Sequence, residues 1–311
     1  MVDVSVIVLC YKQETTIRRT LESILNQETN YSYEIVIGDD SSPDSTRQIC
    51  EEFVSKYPGQ LSINKEHPNL GVVKNYAECL SRVKGRYIME CAGDDWWHNK
   101  NKINLQVDYM DTHNECVMCY GGYNIYTPIN GQISYSRPIR IKGDIFEFLL
   151  RFNPICAPTV CIRTDAMRKI DFPSFIEKGF LVEDYPSWLA LSLVGDFHCM
   201  DESLVTYSVY SGSIQHTTDY EKHLKYQKNY MVMKEYFAHK ANKLHEFSIY
   251  IRDSYFESVA VAAITYLQRK DAIIAFYNIK NKGFKIWLKI LTCLFPISFK
   301  LYSNRYRRGL Q

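Results

Sequence analysis

The strongest constraint on the fold is an alternation in the first hundred residues between short apolar runs and apolar residues at helical spacing. Val4 to Leu9 is apolar except for Ser5. Such a run reads as a strand covered on both faces, as in a parallel sheet. Ile17, Leu21, Ile24 and Leu25 then recur at helical spacing. Tyr33 to Ile37 reads as a second strand, cut off by Gly38-Asp39-Asp40. Ser42-Pro43-Asp44 is expected to open a helix, with Ser42 as its cap and Pro43 in its first turn. Ile49, Phe53 and Val54 supply that helix with a core face. Leu61 to Ile63 is a third strand. Asn69-Leu70-Gly71 turns into a helix that runs to about Lys84. Tyr87 to Glu90 is a fourth strand, ending at Gly93-Asp94-Asp95. This order predicts an α/β fold, a mostly parallel sheet with helices on both faces. Ligands of such sheets bind at the carboxyl ends of the strands, where Asp39, Asp40, Asp94 and Asp95 all fall.

Past Lys100 the pattern predicts a helix to about Asp111. Strands follow at Val117 to Tyr126 and Ile133 to Arg137, with a helix from Asp144 to Arg151. A strand at Pro158 to Arg163 and a helix over Tyr185 to Val194 come next. Two further strands, Phe197 to Met200 and Leu204 to Val209, close the sheet region. From about Asp219 the chain reads as helical, with no internal repeat. The expected organisation is a domain over residues 1–218 and a helical extension over 219–311.

Composition narrows the classes of partner. A net charge of +2 leaves no electrostatic footprint for nucleic acid. The N-terminus shows no basic segment and no cleavage site, so a cytoplasmic chain is expected, with its ten cysteines as free thiols. Cys116 and Cys119 form a CxxC without a second pair, so no structural zinc is expected. The 24 tyrosines supply rings and hydroxyls of the kind that line sugar and base sites. The C-terminus differs in character. Eight positive residues from Lys280 to Arg308 interleave with Phe284, Trp287, Leu288, Leu291, Phe295 and others, and no acid follows Asp271. No apolar run is long enough to span a bilayer. The interleaving suits a helix lying in a membrane interface, which predicts a peripheral location on the inner face of the cell membrane.

Two acidic clusters carry the chemistry. Asp39-Asp40-Ser41-Ser42-Pro43-Asp44-Ser45-Thr46 places carboxylates at a strand end, where they can accept the N3–H of a uracil or the hydroxyls of a ribose. Glu90-Cys91-Ala92-Gly93-Asp94-Asp95-Trp96-Trp97 ends the fourth strand with paired acids. Paired carboxylates suit Mn²⁺ or Mg²⁺, hard ions whose coordination substrate phosphates complete. A phosphate-binding nucleotidyltransferase or a dinucleotide-binding dehydrogenase would need a Gly-rich loop after the first strand. Leu9-Cys10-Tyr11-Lys12 contains no glycine.

In order and spacing, several segments resemble glycosyltransferase family 2. They are Ser5 to Tyr11, Leu21 to Gln27, Asp39 to Thr46, Asn69-Leu70-Gly71, Lys84 to Ile88 and Gly93 to Trp97. A weaker likeness runs from Glu183-Asp184 to Tyr207 through Ser213. The resemblance implies a GT-A fold and an inverting, metal-dependent transfer from a nucleoside diphosphate sugar, with UDP favoured, onto an acceptor hydroxyl. Carried over, Val8, Tyr11, Asp39, Asp40, Lys74 and Asp94 face the donor nucleotide. Tyr11 packs on the base, Asp39 binds the uracil, and Asp40 and Asp44 hold the loop or the ribose. Lys74 points toward the diphosphate. Asp94 is the leading ligand for Mn²⁺ or Mg²⁺, with Asp95 beside it. Asp184 is the leading catalytic base and Glu183 the runner-up. Trp96 and Trp97 are expected to stack on sugar rings. The implied acceptor is a glycan, lipid-linked in surface polysaccharide assembly. The chain departs from the family pattern at Leu9, Lys12 and Ala92, where many relatives carry Pro, Asn and Asp. Ser208 and Tyr210 stand where many carry Arg and His, with His216 as the nearby histidine. These departures keep a second expectation open, a sugar-nucleotide-binding relative that has lost catalysis.

Overall fold

The computed structural model describes residues 2–141, 143–210 and 219–307, without the side chains of Tyr302 and residues 304–307. His216 lies outside the described residues. Two compact units form, Met1–Val209 and Tyr210–Gln311.

The first unit opens with β1 (Val4–Cys10), α1 (Ile17–Leu25), β2 (Tyr33–Asp39), α2 (Thr46–Lys56), β3 (Leu61–Ile63), α3 (Val72–Arg82) and β4 (Tyr87–Ala92). It continues through α4 (Lys102–Thr112), β5 (Cys116–Thr127), β6 (Gln132–Ser136), α5 (Ile145–Arg151), β7 (Cys161–Arg163), α6 (Thr164–Met167), α7 (Phe172–Glu177), α8 (Asp184–Leu191) and β8 (Asp196–Ser208). The sheet order is β3-β2-β1-β4-β7-β5-β6, with β8 paired to β5. β1 lies parallel to both β2 and β4, and β2 parallel to β3. β7 runs antiparallel between β4 and β5. Register sets Cys10 beside Asp39 and Leu9 beside Ala92, so β1, β2 and β4 end together. Among the first residues of β1, Val4, Val6 and Val8 are fully buried. Each such side chain contributes roughly 1.5–3 kcal/mol by leaving water. Ile17, Leu21 and Ile24 of α1 pack into the same core.

Local structure departs from the sequence pattern at four points. α2 starts at Thr46, not at Ser42. The chain turns through a left-handed residue, Ser41, at φ 63°. This directs the Ser42 hydroxyl to the backbone N–H of Lys12 at 3.0 Å. Asp44 takes over at the helix start, accepting from the Thr46 N–H at 3.1 Å and its hydroxyl at 2.6 Å. Pro158 has no N–H to give a ladder. It sits in a 3₁₀ turn, Ala157–Thr159, that precedes β7. The two expected final strands are one, β8, which stays paired to β5 by shifting register around Asp201-Glu202. α6 and α7 are short helices absent from the sequence pattern, α7 being capped by Asp171.

The second unit holds α9 (Tyr220–Lys240), α10 (Leu244–Thr265), α11 (Arg269–Asn278), α12 (Phe284–Leu294) and α13 (Pro296–Arg307). Ala260, Ala263, Ile264, Ala272, Phe276, Cys293 and Phe299 share its core. Arg269 closes the end of α12 by donating to the carbonyls of Cys293 and Leu294. Phe284, Trp287, Leu288, Leu291, Phe295 and Ile297 remain exposed. No described helix is long and apolar enough to cross a membrane.

Gly85 precedes β4 where the chain passes against β1. A Cβ there would stand 2.5 Å from the Ser5 nitrogen and 2.7 Å from the Val4 carbonyl carbon. Backbone cannot yield as a side chain does. Gly85→Ala is therefore expected to destabilise the protein by about 1–3 kcal/mol, read as a lowered midpoint in urea unfolding. An unchanged midpoint would show that the β1–β4 contact relaxes freely.

Candidate active site

The site is built where β1, β2 and β4 end. Asp39, the last residue of β2, is 1% exposed. Asn64 holds its backbone from both sides. The Asp39 N–H donates to Asn64 Oδ1 at 3.0 Å, and Asn64 Nδ2 donates to the Asp39 carbonyl at 2.8 Å. The carboxylate accepts from the Ser42 N–H at 3.3 Å and lies 3.7 Å from an Arg47 nitrogen. Arg47 in turn donates to the Asn64 carbonyl at 3.0 Å. A cavity of 450 Å³ opens here, lined by Asp39, Ser41, Ser42, Arg47, His67 and Pro68 among others. Acceptor and donor stand side by side in it, the pattern an imide N–H and carbonyl would meet. Tyr11 follows β1 and is 43% exposed. Val8 can face a donor only through its backbone. Its side chain is fully buried in the core, because residues of a parallel strand interior face the packed helices.

Asp40 is a loop anchor. Its two oxygens accept from the Leu70 and Gly71 N–H groups at 2.7 and 2.9 Å, and its carbonyl accepts from Asn69 at 2.8 Å. Gly71 turns there at φ +80°, a conformation glycine adopts without strain. The anchored turn starts α3, whose first turn carries the exposed Lys74.

The Asp94-Asp95 turn follows β4. Thr16, the residue before α1, and Thr20 of α1 donate to the carbonyls of Gly93 and Asp95 at 2.8 and 2.6 Å. Ser208, at the end of β8, donates its hydroxyl to the Asp94 carbonyl and its N–H to Asp95 Oδ1, both at 2.7 Å. A Cβ on Gly93 would meet Cys10 Cβ at 2.9 Å and Ile17 Cδ1 at 3.1 Å, so this turn passes close against the end of β1 and the start of α1. Asp95 is 1% exposed, and its Oδ2 is buried without a hydrogen-bond partner. Burial, then the charge of Asp94, pushes the Asp95 carboxyl well above the usual range; burial also raises Asp94. An unpartnered, buried carboxylate oxygen beside a second carboxylate fits a hard divalent cation. Among the described residues no three candidate ligands cluster. An ion here would draw its remaining ligands from water and phosphate, as Mg²⁺ commonly does.

Glu183 and Asp184 stand at the start of α8. Asp184 Oδ1 accepts from the Tyr185 N–H at 2.6 Å. Burial raises both acids, and the charges of Asp184 and Glu90 push Glu183 further up. Glu90 was not singled out from sequence, although a lone acid in the run Tyr87-Ile88-Met89-Glu90-Cys91 is a signal. It is 7% exposed, and the Tyr76 hydroxyl donates to its Oε1 at 2.6 Å. Burial lifts its pKa to about 8. Trp97 corrects another expectation. It is 3% exposed and carries the Lys102 ammonium over its ring at 4.2 Å, so it belongs to the core and offers no face to a sugar. Trp96 has one flank taken by Tyr126, edge to face at 5.3 Å.

A mostly parallel central sheet flanked by helices, followed by a helical C-terminal unit, is the architecture of a GT-A glycosyltransferase. The chain belongs to glycosyltransferase family 2, whose profile matches residues 5–171. It is similar to WfaP of Escherichia coli, a UDP-Glc:α-D-GlcNAc-diphosphoundecaprenol β-1,3-glucosyltransferase. The two are 30% identical over 221 residues, 68% of this chain and 79% of WfaP. An uncharacterized protein of Mycobacterium bovis is 28% identical over 216 residues, 68% of this chain; the match spans only 60% of that relative's length. Two solved structures share the fold. Staphylococcus aureus TarS 1–349 in complex with UDP-GlcNAc gives a TM-score of 0.55 at 16% identity, covering 99% of this chain and 92% of that one. The mannosyltransferase PcManGT of Pyrobaculum calidifontis, with GDP-Man and Mn²⁺, gives 0.59 at 12%, covering 99% and 85%.

Glu90 makes stability depend on pH. Between pH 4.5, the ordinary value, and about 8 the unfolded chain has released this proton while the folded chain keeps it. The unfolded state then binds fewer protons, so stability falls as pH rises through that window. Glu90→Gln keeps an acceptor for Tyr76 and removes the loss. Its melting temperature is expected to exceed the wild type's above about pH 8, with the gain vanishing toward pH 4.5. A gain that does not change with pH would mean that Glu90 ionises as easily folded as unfolded.

Proposed function

We propose that the protein is an inverting, metal-dependent glycosyltransferase that moves a sugar from a UDP-sugar to an acceptor hydroxyl on a lipid-linked glycan. The observation that carries this reading is the acid turn after β4, where Asp95 keeps one buried oxygen without a hydrogen-bond partner beside Asp94. Asp95, Asp94 and Asp184 also all act on the buried Tyr207 hydroxyl, whose pKa burial raises. This supports reading the turn after β4 and the start of α8 as parts of one site.

In this reading Asp39 accepts the uracil N3–H, and the neighbouring Arg47 faces a carbonyl of the base. Tyr11 covers the base, and Asp44 and Asp40 hold the loops around the ribose. Lys74 offers a positive charge near the diphosphate, beside the N-terminal dipole of α3. Asp94 and Asp95 hold Mn²⁺ or Mg²⁺, which when bound neutralises charge on the leaving diphosphate. Asp184 accepts the proton of the acceptor hydroxyl. The acceptor oxygen bonds to the anomeric carbon as the bond to the diphosphate oxygen breaks, with inversion. A carboxylate lifted by burial is a stronger base than one in water. Glu183 is the second candidate for that role. WfaP, as its name states, acts on a diphosphoundecaprenol-linked sugar, which supports a lipid-linked acceptor here.

The test is a panel of UDP-, GDP-, dTDP- and CMP-sugars with Mn²⁺ or EDTA. One donor is expected to turn over, EDTA to stop it, and Asp94→Ala to abolish it. Asp184→Asn is expected to lower kcat by about 10²–10⁴-fold while leaving UDP affinity unchanged. Nucleotide binding without turnover, acceptor present, would instead identify a catalytically degenerate relative.

The tail supports a peripheral site on the cytoplasmic membrane face. Phe284, Trp287, Leu288 and Leu291 of α12 are exposed, and Lys285 and Lys289 lie among them. Residues 281–311 cannot simply be removed, because Cys293 and Phe299 complete a core. Trp287→Glu with Leu291→Glu is expected to abolish sedimentation with vesicles containing anionic lipid and leave the melting temperature unchanged. Undiminished sedimentation would remove α12 as the anchor.

A further inference from the structure

Three consecutive carbonyls, those of Gly93, Asp94 and Asp95, each accept from a side chain of α1 or the residue before it. Thr16 takes the first at 2.8 Å, Arg19 the second at 2.9 Å and Thr20 the third at 2.6 Å. Residues 16, 19 and 20 share one helical face, so one face of a helix grips the whole acid turn. Arg19 differs from the two threonines in what holds it. Its guanidinium lies 3.8 Å above the Trp96 ring, with Tyr126 at 5.7 Å. Trp96 is itself locked to β8 by a two-way backbone bridge, its N–H to the Thr206 carbonyl at 3.2 Å and the Thr206 N–H to its carbonyl at 2.8 Å. Arg19 therefore ties the acid turn to α1 and, through Trp96, to β8.

We propose that Arg19 is a positioning residue for the divalent cation, acting through the carbonyl of Asp94. The proposal rests on the metal-binding reading of Asp94 and Asp95. Asp95 has one oxygen fixed by Ser208 and one without a partner. The direction of that free oxygen depends on the backbone that carries it, and Arg19 and the Ser208 hydroxyl together hold the carbonyl of the peptide between the two acids. A fork stacked on an aromatic ring loses little freedom in making such a bond.

The test uses the full chain and Mn²⁺ binding with UDP present, read by electron paramagnetic resonance. Arg19→Met keeps the length and the packing on Trp96 and removes the charge and the donors. It is expected to bind Mn²⁺ about tenfold more weakly or worse, although losing a nearby positive charge by itself favours a cation, with metal-free UDP affinity unchanged. Arg19→Lys, which keeps the charge, is expected between Arg19→Met and wild type. Arg18→Met, at an exposed arginine paired with Glu52, is expected to behave as wild type. Unaltered Mn²⁺ affinity in Arg19→Met overturns the proposal. So does a loss that metal-free UDP affinity and melting temperature share, which would make Arg19 a structural brace. A wild type that binds no Mn²⁺ with UDP sinks the metal reading itself and this proposal with it.

Discussion

Burying a carboxylate away from water costs several kcal/mol unless something answers its charge, and the carboxyl edge of this sheet buries four. Asp39, Asp40, Glu90 and Asp95 are each at most 7% exposed. Each is answered differently. Asp39 faces Arg47 and the Ser42 N–H. Asp40 takes two backbone N–H groups. Glu90 holds its proton and accepts from Tyr76. Asp95 is answered on one oxygen only. Its other oxygen is buried without a hydrogen-bond partner, which is why the proposed reading places a cation there.

This arrangement follows from strand order. β1 is central and flanked by β2 and β4, all parallel. Their ends coincide, so the residues following each strand meet. Asp39 ends β2, Tyr11 follows β1, and the acid turn follows β4. α1, the crossover out of β1, lies where its face can take the carbonyls of that turn. β8 brings Ser208 in from the far side of the sheet. The departure at Ser208 therefore has a physical content: it supplies a hydroxyl and an N–H that hold the turn.

Strands and their acidic ends were legible because the information is local. Six residues suffice to show the run Val4 to Leu9, and Asp39 and Asp94 stand a few positions past such runs. Partners across the fold were not legible. Arg47 and Asn64 meet Asp39 from 8 and 25 positions away, and nothing in their own neighbourhoods marks them. Glu90 was visible as an acid in an apolar strand, but its reason is Tyr76, on a helix that had to be placed first. Ser42 read as a cap because Ser-Pro is a common helix start; the positive φ at Ser41 is a tertiary choice that moved the start to Thr46. Trp97 read as a sugar platform by adjacency to the acids. Its burial under Lys102 follows from the helix behind it, since Lys102 opens α4 and its ammonium donates to Gln106 one turn on.

Ala92 is the departure that bears most on chemistry. Successive side chains of a strand alternate faces, so Glu90 and Ala92 point the same way from β4. The acid that the family resemblance implies at the later position has a counterpart here two residues earlier, yet it is not a substitute. Glu90 is committed to Tyr76, and at about 8 its pKa leaves it largely neutral at physiological pH. A neutral carboxyl is a poor ligand for a hard cation. On the metal-binding reading Asp94 and Asp95 remain, two acids where a dedicated cage would need more. On the proposed reading the donor's diphosphate must then supply much of the coordination. Ion and donor bind as a unit, and the acid turn has to be rigid before either arrives, because two ligands cannot organise a flexible loop that four would. The grip on the Gly93, Asp94 and Asp95 carbonyls is what such a sparse site requires.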